Sequence, residues 1–134
     1  MLLSVIIVSY NVKDYLWQCL TSLRKSLKDI DAEVIVFDNH SHDETIKCLQ
    51  PQFKDVKFIS SNHNLGFAKG NNHAIRLSKG KYVLLLNPDT IVAENTIRNA
   101  IAFMETHPQA GGAGARMTNA DGTDAKESRR GIPT

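Results

Sequence analysis

Short β-branched, apolar runs alternate with helix-length amphipathic stretches along this chain: Leu3 to Ser9, Glu33 to Asp38, Val56 to Ser60, Lys81 to Asn87 and, more weakly, Ala113 to Met117. That rhythm predicts βαβ units and a mostly parallel, Rossmann-like α/β sheet with helices on both faces. Between the first two runs, Leu16, Leu20, Leu23 and Leu27 recur at helical spacing, which puts them on one face against the sheet and turns Trp17, Gln18, Arg24 and Lys25 outward. A second helix is predicted from near Asp43, whose charge suits a helix N-terminus, to Pro51. The third is predicted over about Phe67 to Ser78, with Lys79 as its basic last turn and Gly80 as a C-cap glycine. The fourth carries Ile97, Ile101 and Met104 on one face and ends before Pro108.

Right-handed crossovers bring the carboxyl ends of all parallel strands to one edge, where open α/β sheets bind ligands at the point of strand-order reversal. Each run ends in polar residues: Ser9-Tyr10-Asn11, Asp38-Asn39, Ser61-Asn62-His63-Asn64 and Asn87-Pro88-Asp89. Singly, each is an ordinary turn or cap residue worth about 1 kcal/mol. Asp38 differs, because it follows an apolar strand directly and "NHSHD" already supplies caps for the next helix. That leaves recognition of a ligand donor as its favoured role. Gly70 falls where a helix is already running, at a cost of roughly 1 kcal/mol relative to alanine, so close approach of a ligand or of a neighbouring strand is expected there.

Composition excludes several classes. With 134 residues, 42% of them hydrophobic and 22% charged, the chain reads as a globular domain, and a net charge of +2 with dispersed Lys and Arg gives no nucleic-acid surface. No apolar run approaches the roughly 20 residues of a membrane span, and no signal peptide is recognisable. Cys19 and Cys48 read as reduced core thiols of a cytoplasmic protein. The five histidines show no metal-ligand spacing. A phosphate loop fails for want of G-K-[ST], and "SYNVKD" after the first strand carries neither the Rossmann glycines nor the acidic pair of a phosphoacceptor domain.

"SVIIVSYN", "EVIVFDNHSHDET", "NLGFAKGNNHAI" and "GKYVLLLNPDT" stand in an order, over about Leu3 to Ile91, that resembles the start of an inverting family-2 glycosyltransferase with the GT-A fold, on the branch that includes rhamnosyltransferase-like enzymes. The resemblance implies that Ser9, Tyr10 and Asn11 lie against the base and ribose of a nucleotide-sugar donor. Asp38, with Asn39 beside it, would accept a hydrogen bond from the imide N–H of uridine or thymidine. Gly66, Lys69, Gly70 and Asn71 would border the nucleotide or sugar. Asn87-Pro88-Asp89 occupies the family's D-x-D position, so Asp89 would bind Mg²⁺ or Mn²⁺ bridging the donor phosphates, with Asn87 an amide where the first acid usually stands. "NPDT" favours a dTDP-sugar, with a UDP-sugar as the other candidate.

The domain division expected is a nucleotide-sugar-binding half over 1–110 and the start of an acceptor-binding half over 111–134. On this reading the chain is an inactive donor-binding fragment whose general base lies beyond Thr134, and the acceptor is a saccharide or a lipid-linked molecule. Apolar surface left open would favour homo-oligomers. The alternative is a non-catalytic nucleotide-binding module, supported by the amide at Asn87.

Overall fold

The computed structural model describes residues 1–112 and divides the chain into two compact units, Met1–Glu94 and Asn95–Thr134. The first unit holds β1 (Leu3–Ser9), α1 (Lys13–Ser26), β2 (Ala32–Asp38), α2 (Thr45–Leu49), β3 (Val56–Ser60), α3 (Phe67–Leu77) and β4 (Tyr82–Leu85). The weak fifth run, Ala113 to Met117, lies outside the described residues. The strands form a four-stranded parallel sheet in the order β3-β2-β1-β4.

Alternation within the strands decides which helix covers which face. Ile6 and Val8 of β1, Ile35 and Phe37 of β2, and Ala74 of α3 form one buried cluster, with Ile59, Leu65 and Ile75 packed around it. The opposite parity serves α1: Leu20, Leu23 and Leu27 share a crevice with Val34 of β2 and Val56 of β3. Leu16, Cys19, Leu20 and Leu23 are buried, as the leucine spacing predicts, and Trp17, Gln18, Arg24 and Lys25 are exposed.

Two glycines owe their identity to this packing. A Cβ on Gly70 would stand 3.1 Å from both Phe37 Cδ1 and Val8 Cγ1, so the neighbour that requires glycine inside α3 is the sheet. Gly80 is not the left-handed C-cap expected: α3 closes on Ser78 in an extended conformation, and Gly66 has the one positive φ found for a glycine among the described residues. What Gly80 needs is space, because a Cβ there would lie 2.5 Å from the Ser4 nitrogen. Its N–H donates to Ser4 Oγ (2.8 Å), Ser4 Oγ donates to Glu33 (2.6 Å), and the Lys79 N–H donates to the same Glu33 oxygen (2.7 Å). This latch joins β1, β2 and the entry to β4 at the edge opposite the strand ends.

The second unit contains α4 (Thr96–Thr106). Ile97 is buried and Ile101 and Met104 are half-buried, so the face expected from their spacing is the least exposed side of this helix.

Candidate functional site

β1, β2 and β3 are neighbours in sequence order, whereas β4 returns to the other side of β1, so strand order reverses between β1 and β4. The register pairs Ser9 with Asp38 and Asp38 with Ser60, which brings these three strand ends level. β4 stops earlier. Its last pair is Ile6↔Leu85, closed by Leu86 N–H donating to the Ile6 carbonyl (2.9 Å), and β1 runs on through Ile7, Val8 and Ser9. A notch therefore opens between β1 and the segment that leaves β4, at the place where open α/β sheets bind ligands.

One wall of the notch is a braced pair of loops. Asp38 is 4% exposed, and its two oxygens accept from Ser41 N–H (3.0 Å) and Ser41 Oγ (2.5 Å). The Asn11 N–H donates to Ser41 Oγ (2.9 Å), and Asn11 Oδ1 accepts from His42 N–H (2.7 Å). Ser41 thus ties the turn after β1 to the carboxylate at the end of β2. Asp38 is therefore a loop-closing residue in its own right, which the abundance of other caps in "NHSHD" does not reveal. Each carboxylate oxygen retains acceptor capacity beyond its Ser41 bond. Asn11, His40 and Glu44, with φ of 53°, 67° and 60°, place three non-glycine residues of this wall in the left-handed region, a sparsely populated conformation that clusters at functional sites.

Asp43 does not serve only its own helix. Its carboxylate accepts from the Lys13 N–H (3.0 Å), capping α1 from thirty residues away, and from Thr45 N–H (3.2 Å) and Thr45 Oγ1. α1 has no side-chain cap of its own at Val12. Partial burial pushes the Asp43 carboxyl up, but the hydrogen bonds from Thr45 and the Lys13 amide outweigh it and hold the group below the usual range.

The other wall is the segment after β4. Thr90 N–H donates to the Asn87 carbonyl (3.2 Å), closing a turn with Pro88 at the position that a fixed φ suits and where no backbone donor is needed. The Cys19 thiol, buried in α1, donates to the same carbonyl (3.8 Å). Burial, and then the negative charge of Asp89, push that thiol up to about 12, so it stays protonated. The carboxylate of Asp89 and the amide of Asn87 are on exposed residues.

The remaining expected contacts divide. Tyr10, Asn11, Gly66 and Lys69 are exposed, the last two at the start of α3. Ser9 is 0% exposed and, by strand alternation, on the α1 side of the sheet; its hydroxyl is buried without a hydrogen-bond partner among the described residues. Asn39 holds the loop before α3, donating to the Gly66 carbonyl (3.0 Å) and accepting from Leu65 N–H (3.1 Å). Gly70 faces Phe37 and Val8, and Asn71 is 6% exposed, so neither presents an open surface. Ser41 and the hydroxyls of α1 were not singled out by their sequence context, and Asp43 was read for its own helix alone, because their partners are distant in the chain.

A metal fits this site in a restricted way. Asp89 would supply one hard carboxylate oxygen, and no group of three or more His, Cys, Asp or Glu converges on a metal position among the described residues. His40 and His42 instead meet edge to face, with ring centroids 5.1 Å apart. Mg²⁺ and Mn²⁺ sites with one or two protein carboxylates, completed by substrate phosphates and water, match that supply.

Comparison with known proteins decides the family. The model of "Glycosyl transferase family 2" matches residues 4–132. The chain belongs to glycosyl transferase family 2. The chain is 35% identical over 108 residues to the Escherichia coli UDP-Glc:alpha-D-GlcNAc-diphosphoundecaprenol beta-1,3-glucosyltransferase WfaP, covering 78% of this chain and 42% of that protein. It is also 35% identical over 104 residues to the Bacillus subtilis uncharacterized glycosyltransferase YfnE, covering 76% and 26%. The crystal structure of S. aureus TarS 1-349 in complex with UDP-GlcNAc superposes with a TM-score of 0.73 at 30% identity, covering 81% of this chain and 32% of that one. The family 2 chain thus spans less than half the length of these relatives, and its parallel sheet with flanking helices matches GT-A glycosyltransferase structures.

Proposed function

We propose that this chain forms the donor-binding part of an inverting glycosyltransferase that moves a hexosyl or rhamnosyl group from a nucleoside-diphosphate sugar to a saccharide or lipid-linked acceptor. The observation that carries this reading is the gathering of Tyr10, Asn11, Asp38 and Asp89 along one sheet edge, at the reversal of strand order. Asp38 accepts the imide N–H of the base, displacing or sharing its bonds with Ser41, while Tyr10 and Asn11 flank the base and ribose. Lys69 and the glycine backbone at Gly66 border the phosphates or sugar. Asp89, with Asn87 beside it, holds Mg²⁺ or Mn²⁺. When bound, that ion supplies charge stabilisation for the departing diphosphate.

The acceptor hydroxyl attacks the anomeric carbon, the bond to the diphosphate oxygen breaks, and the hydroxyl proton passes to a base in the acceptor-binding part of the whole protein. WfaP is named for UDP-Glc and TarS is seen in complex with UDP-GlcNAc, which puts a UDP-sugar ahead of the dTDP-sugar suggested by "NPDT". Unpaired Cys19 and Cys48 suit a cytoplasmic setting. Val83 and Leu85, 42% and 52% exposed on β4, supply apolar surface for self-association. A non-catalytic nucleotide-binding module is the second reading, favoured by the amide at Asn87.

Paired substitutions test the assignment. Asp38→Ala lowers UMP and UDP affinity together, by about tenfold for a lost charge-assisted hydrogen bond. Asp89→Asn leaves UMP binding intact and removes the gain that Mn²⁺ gives to UDP. Loss of both ligands in both variants with unfolded far-UV spectra would assign the two carboxylates to loop closure alone, and metal-independent UDP binding in the unaltered chain would favour the binding module.

A further inference from the structure

Cys19, Ser22 and Ser26 succeed one another at spacings of three and four, which aligns them as one stripe on α1. All three side chains reach main-chain atoms in the segment after β4. The Cys19 thiol donates to the Asn87 carbonyl (3.8 Å). Ser22 Oγ accepts the Val92 N–H (3.0 Å) and donates back to the Cys19 carbonyl (2.9 Å). Ser26, 2% exposed, donates to the Ala93 carbonyl (3.0 Å), with the Val92 carbonyl at 3.5 Å and the Ser22 carbonyl at 3.2 Å as its other acceptors.

The segment is therefore fastened at both ends, at Asn87 and at Val92-Ala93, and Asp89 lies on the span between. Burial fixes that span only in part, since Pro88 and Thr90 are half-buried. Ile91 is 70% exposed and Asp89 is exposed, whereas Val92, beside the second fastening, is 9% exposed. The position of the Asp89 carboxylate is set by the turn closed at Asn87 and by these hydrogen bonds from α1. α1 also leads back to the other wall of the notch, since Asp43 caps its N-terminus through the Lys13 amide.

We propose that Ser22, assisted by Cys19 and Ser26, is a positioning residue for the metal-binding carboxylate Asp89, an assignment that rests on the donor-site reading above. Ser22 touches neither nucleotide nor metal; it acts by holding the main chain that carries Asp89. Because the bonds run to backbone atoms, they constrain the turn whatever side chains stand at Val92 and Ala93.

The test is titration of the purified chain and of Ser22→Ala with UDP, in Mn²⁺ and in chelator, and with UMP in chelator, alongside thermal unfolding. The ratio of UDP affinities with and without Mn²⁺ falls about tenfold in Ser22→Ala, the lower end of what loss of an outer partner costs a metal site. UMP affinity is unchanged. Ser26→Ala, which keeps the bond from the Val92 N–H to Ser22 Oγ, lowers the ratio less and serves as the second variant if Ser22→Ala does not fold. An unchanged ratio in a folded variant with a lowered melting temperature would make the stripe purely structural and overturn the proposal while leaving the donor site standing. No Mn²⁺ gain in the unaltered chain would overturn the donor-site reading and this one with it.

Discussion

At the scale of single residues, the site is built by side chains whose partners lie far along the chain. Ser41 bonds both Asp38 and Asn11, so Ser41→Ala removes one hydrogen bond from the carboxylate and one from the turn after β1 together. The bond from Ser41 N–H to Asp38 survives that change, and the expected cost is about 1–2 kcal/mol, read from urea unfolding. Asp89→Asn, on an exposed turn, should stay within about 0.5 kcal/mol of the unaltered stability. Gly80→Ala should be far worse, because its Cβ would meet the Ser4 backbone at 2.5 Å, and backbone cannot rotate away. Gly70→Ala meets the side chains of Phe37 and Val8 at 3.1 Å and gains up to about 1 kcal/mol of helix propensity, so its net cost should be the smaller of the two. Comparable melting temperatures for the two variants would contradict this ordering. The sequence shows that Gly70 is costly inside a helix, but its packing partner becomes visible only when β1 and β2 pair. For Ser9 the strand alternation shows its face, and its burial becomes visible only when α1 covers the sheet.

At the scale of elements, the caps and latches exchange partners across the sheet. Asp43→Ala removes the trans cap of α1 and should cost about 1 kcal/mol. Glu33 behaves alike at the opposite edge: burial raises its carboxyl, and the hydrogen bonds from Ser4 and the Lys79 amide, aided by Lys79 and Lys57, outweigh it and leave the group low. Both carboxyls are depressed, so each contributes stability that is fully present above its ordinary value, 4.5 for Glu33 and 3.8 for Asp43, and is lost as pH falls through the lower folded value. The unfolding midpoint should therefore hold steady from pH 7 to pH 5 and drop below about 4.5. The double variant Glu33→Gln with Asp43→Asn should flatten that drop; an equally steep fall would show that other groups govern it. The strands were legible because period-two and β-branched runs are local signals: β1 and β3 have the expected bounds, and β2 and β4 shift by one or two residues. The roles of Asp43 and Gly80 were not, since a local cap and a trans cap share one residue type.

At the scale of the whole chain, the parallel order β3-β2-β1-β4 converts four separate strand ends into one edge with a notch. That convergence was legible in the polar residues closing each apolar run. The site's dependence on α1 was not, because Cys19, Ser22 and Ser26 read as ordinary core and helix residues until the segment after β4 packs on them. The most direct measurement is calorimetric titration of the purified chain with UDP and dTDP, each in Mn²⁺ and in chelator, with UMP and TMP alongside. Metal-enhanced binding of the diphosphate, with UDP preferred and the monophosphate indifferent to the ion, is the result predicted from Asp38 and Asp89. Equal affinity with and without metal, or no nucleotide bound by the folded chain, would contradict it.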